Sequence, residues 1–295
     1  MTEQTLALAN RVSEDVVRAE PEPEFTPTWR PYSHGRILDA MAMAVDEVGL
    51  KIAKKEYSLS PGRAMAAAWE IESTEKDFNF GISIVNAINK SHAVTLGAFE
   101  KIFICSNFCF RMAWHRVMFR RHSGNLEMAE VVYLASESLR LLIPKFETLK
   151  NWHQEMKRST LTVEQTALIT IAAMKRKVIP PSKYDTFNDM LFSQQSKYKE
   201  YAGSMYAWHG AATELMNNNS ILTIMNSQDQ LNYFIDYEAP LVLKHGQEKT
   251  IDLEKVRAEG WDNYKTDRAK QKWEDRENFN AIKQSFLDLK NKQID

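Results

Sequence analysis

The chain has 295 residues, 44% of them hydrophobic, and a formal net charge of −1. It is long enough to bury a sizeable core, and it is no polycation, so binding to nucleic acid would need a local basic face. No run of about 18 apolar residues is present, and the start "MTEQTLALANRVSEDVV" lacks the basic and apolar regions of a secretory signal, so no membrane partner and a cytoplasmic setting are expected.

In chain order, residues 1–32 read as an acidic, proline-rich N-terminal arm. Residues 1–30 hold six acidic and three basic residues with little periodicity, a composition expected to order only on a partner. Ser33 then caps a predicted helix to about Val48, with Ile37, Leu38, Met41, Val45 and Val48 on one face and Gly49 ending it. "KIAKKEYSL" follows as an extended run. Met65, Ala67, Trp69 and Ile71 alternate in the next, and Phe80, Ile82 and Ile84 in the one after; "HAVTLGAFEKIFICSN" adds one or two strands. The connectors are short, which favours an antiparallel meander over residues 50–107.

From residue 126 the pattern is helical. Residues 126–150 carry Leu126, Val131, Leu134, Leu142 and Phe146. Thr162 and Gln165 form a capping-box pair for a helix over 162–176. Tyr198, Tyr201, Met205, Trp208, Ala212 and Leu215 predict one helix over 193–217 whose stripe is core. Residues 220–250 fit neither period, and the tail from Asp262 reads as a charged surface helix. The fold class expected is α+β: a helix plus antiparallel β-meander core (33–125), a helical C-terminal half beginning with 126–219, and a C-terminal extension (220–295).

The chemistry concentrates between Lys90 and Gly124. Lys90, Lys101, Arg111, Arg116, Arg120 and Arg121 stand there against Glu100 alone, a local excess of five positive charges, with His92, His115 and His122 among them. Aromatic residues interleave, including Phe99, Phe103, Phe119 and the candidate stacking residues Phe108, Phe110 and Trp114. Cations that meet phosphates beside rings that stack on unpaired bases suit single-stranded nucleic acid. In "FRRHSGN", Gly124 permits a positive φ and Ser123 or Asn125 can cap the following helix, so that Arg120, Arg121 and His122 grip an anion at a helix N-terminus. The bland alternative is a capped turn with two exposed arginines.

Cys105 and Cys109 lie four apart with no zinc-like ligand spacing, so reduced thiols, no metal and no cofactor are expected. There is no phosphate-binding P-loop, HExxH or GxSxG, and no catalytic residue is assigned.

Four segments, "AMAMAVDEVGLKI", "ISIVNAINKSHAVTL", "KIFICSNFCF" and "RRHSGNLEMAEVV", with "SMYAWHGAATELMNN" later, resemble in order the phage- and plasmid-borne family called domain of unknown function nine-hundred-thirty-two. The resemblance spans roughly residues 33–217 and rests on Asn86, on Cys105 with Asn107, and on His122 with Gly124 and Asn125. After Asn86 this chain has Ala87, Ile88, Asn89 and Lys90 where the family has Ser-His-Asp-Gly. The resemblance implies a phage or mobile-element origin and no established activity. The helix–meander–helix order is also similar to the core of single-strand annealing proteins. The expected function is a non-catalytic, oligomeric protein binding single-stranded DNA, of annealing or recombination type. The alternative is an anti-defence protein whose arm and tail hold a host immune complex, and an enzyme comes third.

Overall fold

A computed structural model describes residues 11–60, 63–72, 78–102, 107–110, 116–193, 196–216, 219, 221–246 and 252–292. Ser33 Oγ accepts a hydrogen bond from the Arg36 N–H and starts helix α2 (His34–Glu47), and Gly49 leaves it with φ +75°. Two short elements precede it, β1 (Arg11–Val12) and α1 (Glu14–Arg18). Four strands follow in hairpin succession: β2 (Ile52–Leu59), β3 (Ala64–Ile71), β4 (Phe78–Ala87) and β5 (Val94–Ile102). Each pairs antiparallel with the next. The outer edge of β5 is shared end to end. Strand β6 (Asn107–Phe110) pairs with Phe99–Ile102, and β7 (Arg116–Arg120) pairs with Val94–Gly97. The protein is therefore α+β, with an antiparallel sheet in the N-terminal half and helices in the C-terminal half.

Alternation along β3 directs Met65, Ala67, Trp69 and Ile71 into one core with Ile37, Leu38 and Met41 of α2. The same core takes Val131, Leu134 and Leu142 from the 31-residue helix α3 (Met128–Arg158). On the other face of β3, Ala66 and Ala68 pack with Val85 and Phe99 against Ile224 and Met225 of α7 (Ile221–Tyr233). With both faces covered, every residue of β3 is buried.

The helical half has its own core, built from α4 (Val163–Lys175), α5 (Tyr184–Phe192), α6 (Met205–Glu214) and α8 (Ala239–His245). Thr162 and Gln165 close the expected capping box of α4. The helix expected over 193–217 is shorter. Before it the chain holds a short 3-10 turn (Lys199–Tyr201), Ser204 Oγ caps α6 through the Ala207 N–H, and Gly203 takes φ +74° next to it. A π-helical turn (Phe234–Glu238) joins α7 to α8. The 40-residue α9 (Leu253–Lys292) runs between the two cores, with Val256 in the second and Phe279 and Ile282 against the first. No helix among the described residues is long and apolar enough to cross a membrane.

Residues 11–32 are packed against α2 and β2, unlike the free arm their composition suggests. Val17 is fully buried, Tyr32 is 2% exposed, and β1 pairs with Tyr57 and Ser58 of β2. Tyr57 Oη donates to Glu14, and Arg63 pairs with Glu20 at 2.9 Å. Three of the acidic residues that suggested a distant partner, Glu14, Glu20 and Glu22, find cations and hydroxyls of this same chain.

Candidate functional site

The turn after β7 is set by Arg120. Its guanidinium meets both carboxylate oxygens of Glu130 on α3, at 2.8 and 3.2 Å, and donates to Ser123 Oγ at 3.2 Å. Ser123 Oγ in turn donates to Asn125 Oδ1 at 2.8 Å. Both members of the ion pair are shielded, with side chains 13% and 9% exposed. Arg120 is therefore a structural clamp, not the open anion contact expected from its sequence. Neither Ser123 nor Asn125 caps α3. The helix starts later, at Met128; its N-cap Glu127 makes no side-chain capping bond and instead takes Lys290 on its carboxylate, while Ser123 and Asn125 are tied to each other within the turn.

Gly124 is needed for space and does not carry a positive φ. A Cβ there would lie 1.8 Å from the Pro27 carbonyl oxygen. The N-terminal segment reaches this point because Thr26 and Trp29 pair backbone to backbone in a tight reversal. The Arg30 N–H then donates to the His122 carbonyl, and Tyr32 Oη to the Leu126 carbonyl at 2.8 Å.

Beneath this contact lies a buried polar chain centred on Asn86. Its amide nitrogen donates to the Tyr32 carbonyl and to His34 Nδ1, and its oxygen faces His122 Nε2 at 2.9 Å. The Tyr32 carbonyl can only accept, which fixes the amide orientation. His34 therefore carries its proton on Nε2, and His122 donates from Nε2. Burial pushes the His34 imidazole down to about 4, and lowers His122 as well, with the Arg30 backbone partly opposing. His122 is thus a neutral, 6% exposed member of this chain, and the anion-gripping role expected of it falls away.

Around the rim opens a cavity of about 510 Å³. Trp29, Lys90, His92, Phe119, Arg121 and His122 line it, and no carboxylate does among the described residues. Lys90 sits in the β4–β5 hairpin with φ +69°, a left-handed conformation that costs a non-glycine residue about 1 kcal/mol. Its Nζ lies 4.8 Å over the Trp29 ring. Arg121 is exposed, and Phe119 is 43% exposed. Two cations and two accessible rings around one hollow can hold an anion and a flat ring together.

The remaining expected site residues are placed less closely. Backbone pairing sets Lys101 opposite Phe108, Phe99 opposite Phe110 and Ile102 opposite Asn107 on the β5–β6 edge, while Arg116 pairs with Gly97. Arg111, Trp114 and Cys105 lie outside the described residues. Sequence reasoning missed Trp29. Its signal was an aromatic residue between prolines in "TPTWRP", in a segment with no helical or strand period that would bury it. Comparison with protein-family models, with curated proteins and with solved structures finds no match for this chain.

Proposed function

We propose that the protein binds single-stranded nucleic acid without catalysis, seating one nucleotide in the Trp29–Lys90–Phe119–Arg121 cavity. The observation that carries this reading is the composition of that hollow: two cations, two rings and no carboxylate, in a chain whose net charge is −1. Lys90 and Arg121 take the phosphate, and Phe119 or Trp29 takes the base. Left-handed Lys90 fits this role, because strained residues of this kind cluster at binding sites. An oligomeric, phage-borne annealing protein of this type remains the broader proposal. A protein target is the alternative, motivated by the arm and tail; residues 11–32 and α9 touch the body through Val17, Tyr32, Val256, Phe279 and Ile282, and many of their other residues are exposed.

The test is a salt titration of a labelled oligothymidine against wild type and Lys90→Ala/Arg121→Ala, with mass measurement of any assembly. The double variant should bind at least about tenfold more weakly, and its salt slope should be shallower by about 0.7 per lost contact. Phe119→Ala should cost about 1–3 kcal/mol of affinity. Equal affinities and slopes, or no binding at low salt, would remove the nucleic-acid reading.

A further inference from the structure

A second cavity, of about 430 Å³, opens where α9 crosses the π-helical turn. Its wall is aromatic. Trp261 stacks on Tyr264, with ring centres 5.3 Å apart and planes 26° apart, and Tyr233 meets Tyr264 edge-on at 5.0 Å. Trp261 is 50% exposed. Helix and turn approach this closely because residue 260 is glycine: a Cβ there would stand 3.0 Å from the Tyr237 carbonyl oxygen.

Two backbone irregularities flank the hollow. One is the π-helical turn itself, a feature frequent at functional sites. The other is Lys177, with φ +58°, between the lining residues Arg176 and Val178. Arg176 is fixed by Glu238, which is 2% exposed, through contacts of 2.8 and 3.0 Å from its Nε. This pair holds a guanidinium at the wall with its charge offset. One buried polar atom there lacks a partner among the described residues, and one exposed amide makes no bond to protein. Gln230 is exposed and its amide makes no hydrogen bond, and the buried Tyr233 Oη lies near Glu238 without a bond of good geometry.

We propose that this cavity binds the flat heteroaromatic ring of a nucleoside. The ring stacks on the Trp261–Tyr264 wall, and its polar edge meets the Gln230 amide, which offers a donor and an acceptor side by side. A hydrocarbon ring would leave the Gln230 amide unmatched, whereas the Asp229 carboxylate in the same lining can accept from the amino group of a base. The inference does not depend on the first cavity, which is built from different elements.

The probe is adenosine, which has no phosphate and so draws little from a cationic rim. Binding is followed by calorimetry and by tryptophan fluorescence. Saturable binding is expected in wild type, weakened about tenfold in Gln230→Ala and abolished in Trp261→Ala, with circular dichroism unchanged. Lys90→Ala/Arg121→Ala should bind adenosine as wild type does. Phenol serves as the plain-ring control. Absence of saturation up to about 10 mM overturns the proposal. So does phenol binding as tight as adenosine's, or loss of adenosine binding in the Lys90/Arg121 variant.

Discussion

At Gly124 the Pro27 carbonyl fills the place where a side chain would begin. Gly124→Ala must therefore push the N-terminal segment or the turn aside, at the 1–3 kcal/mol typical of an overpacked site, roughly. Urea denaturation measures this, and an unchanged midpoint would show that the contact yields freely. The neighbouring arginines separate in the same assay. Arg120→Ala strands the shielded Glu130 carboxylate and should cost about 2–3 kcal/mol. Arg121→Ala removes an exposed side chain and should stay within about 0.5 kcal/mol. Equal losses from the two would contradict the division of labour. His34 gives a pH dependence. Its folded value near 4 lies below the ordinary 6.5, so the unfolded chain takes up the proton first as pH falls. Stability contributed by neutral His34 is present above about 6.5 and is lost as pH drops towards 4, up to about 3 kcal/mol. Glu20, Arg63 and His122 are the ionisable groups that act on it. The fall should be shallower in His34→Gln, and identical profiles would place the acid lability elsewhere.

At the scale of elements, the N-terminal segment departs most from what its composition suggests. Deleting residues 1–32 removes Val17 and Tyr32 from the first core, and leaves Asn86 without the Tyr32 carbonyl. The truncated protein should show a markedly lower thermal midpoint; an unchanged transition would return the segment to the status of an arm. Where local chemistry decides, the sequence is legible. Ser33, Gly49 and the Thr162–Gln165 pair terminate helices through bonds to their own neighbours. The strands show because their apolar alternation matches the pleat, as at Met65–Ile71. What is hidden depends on residues distant in sequence. The partner of Arg120 is Glu130 across the turn, and the space at Gly124 is taken by Pro27. No local pattern reveals such a pairing. In the same way the 193–217 stripe is a true core pattern, yet a short 3-10 turn and its flanks before Ser204 carry part of it.

At the scale of the whole molecule, two cores are spanned by two long helices. Helix α3 contributes Val131 to Leu149 to the first and Met156 to the second, and α9 returns along them, tied by Lys290 to Glu127 at 2.8 Å. Strands β2 to β5 lie in the sheet in the order in which they occur in the chain. That order has a consequence in time. Each hairpin can close as soon as its second strand exists, whereas Tyr32 must wait for Leu126, 94 residues later. At about 5–20 residues per second, synthesis keeps the N-terminal segment waiting roughly 5–20 s after Tyr32 is made. The first cavity is then among the last features to form, closed over a sheet already built. Tyr32→Phe should accordingly leave the refolding rate unchanged and raise the unfolding rate, by about fivefold for a lost bond near 1 kcal/mol. Stopped-flow refolding slowed in proportion to the stability loss would show instead that the segment docks early. If the docking is late, newly made chains pass through a short interval in which the sheet is formed and the first cavity is not.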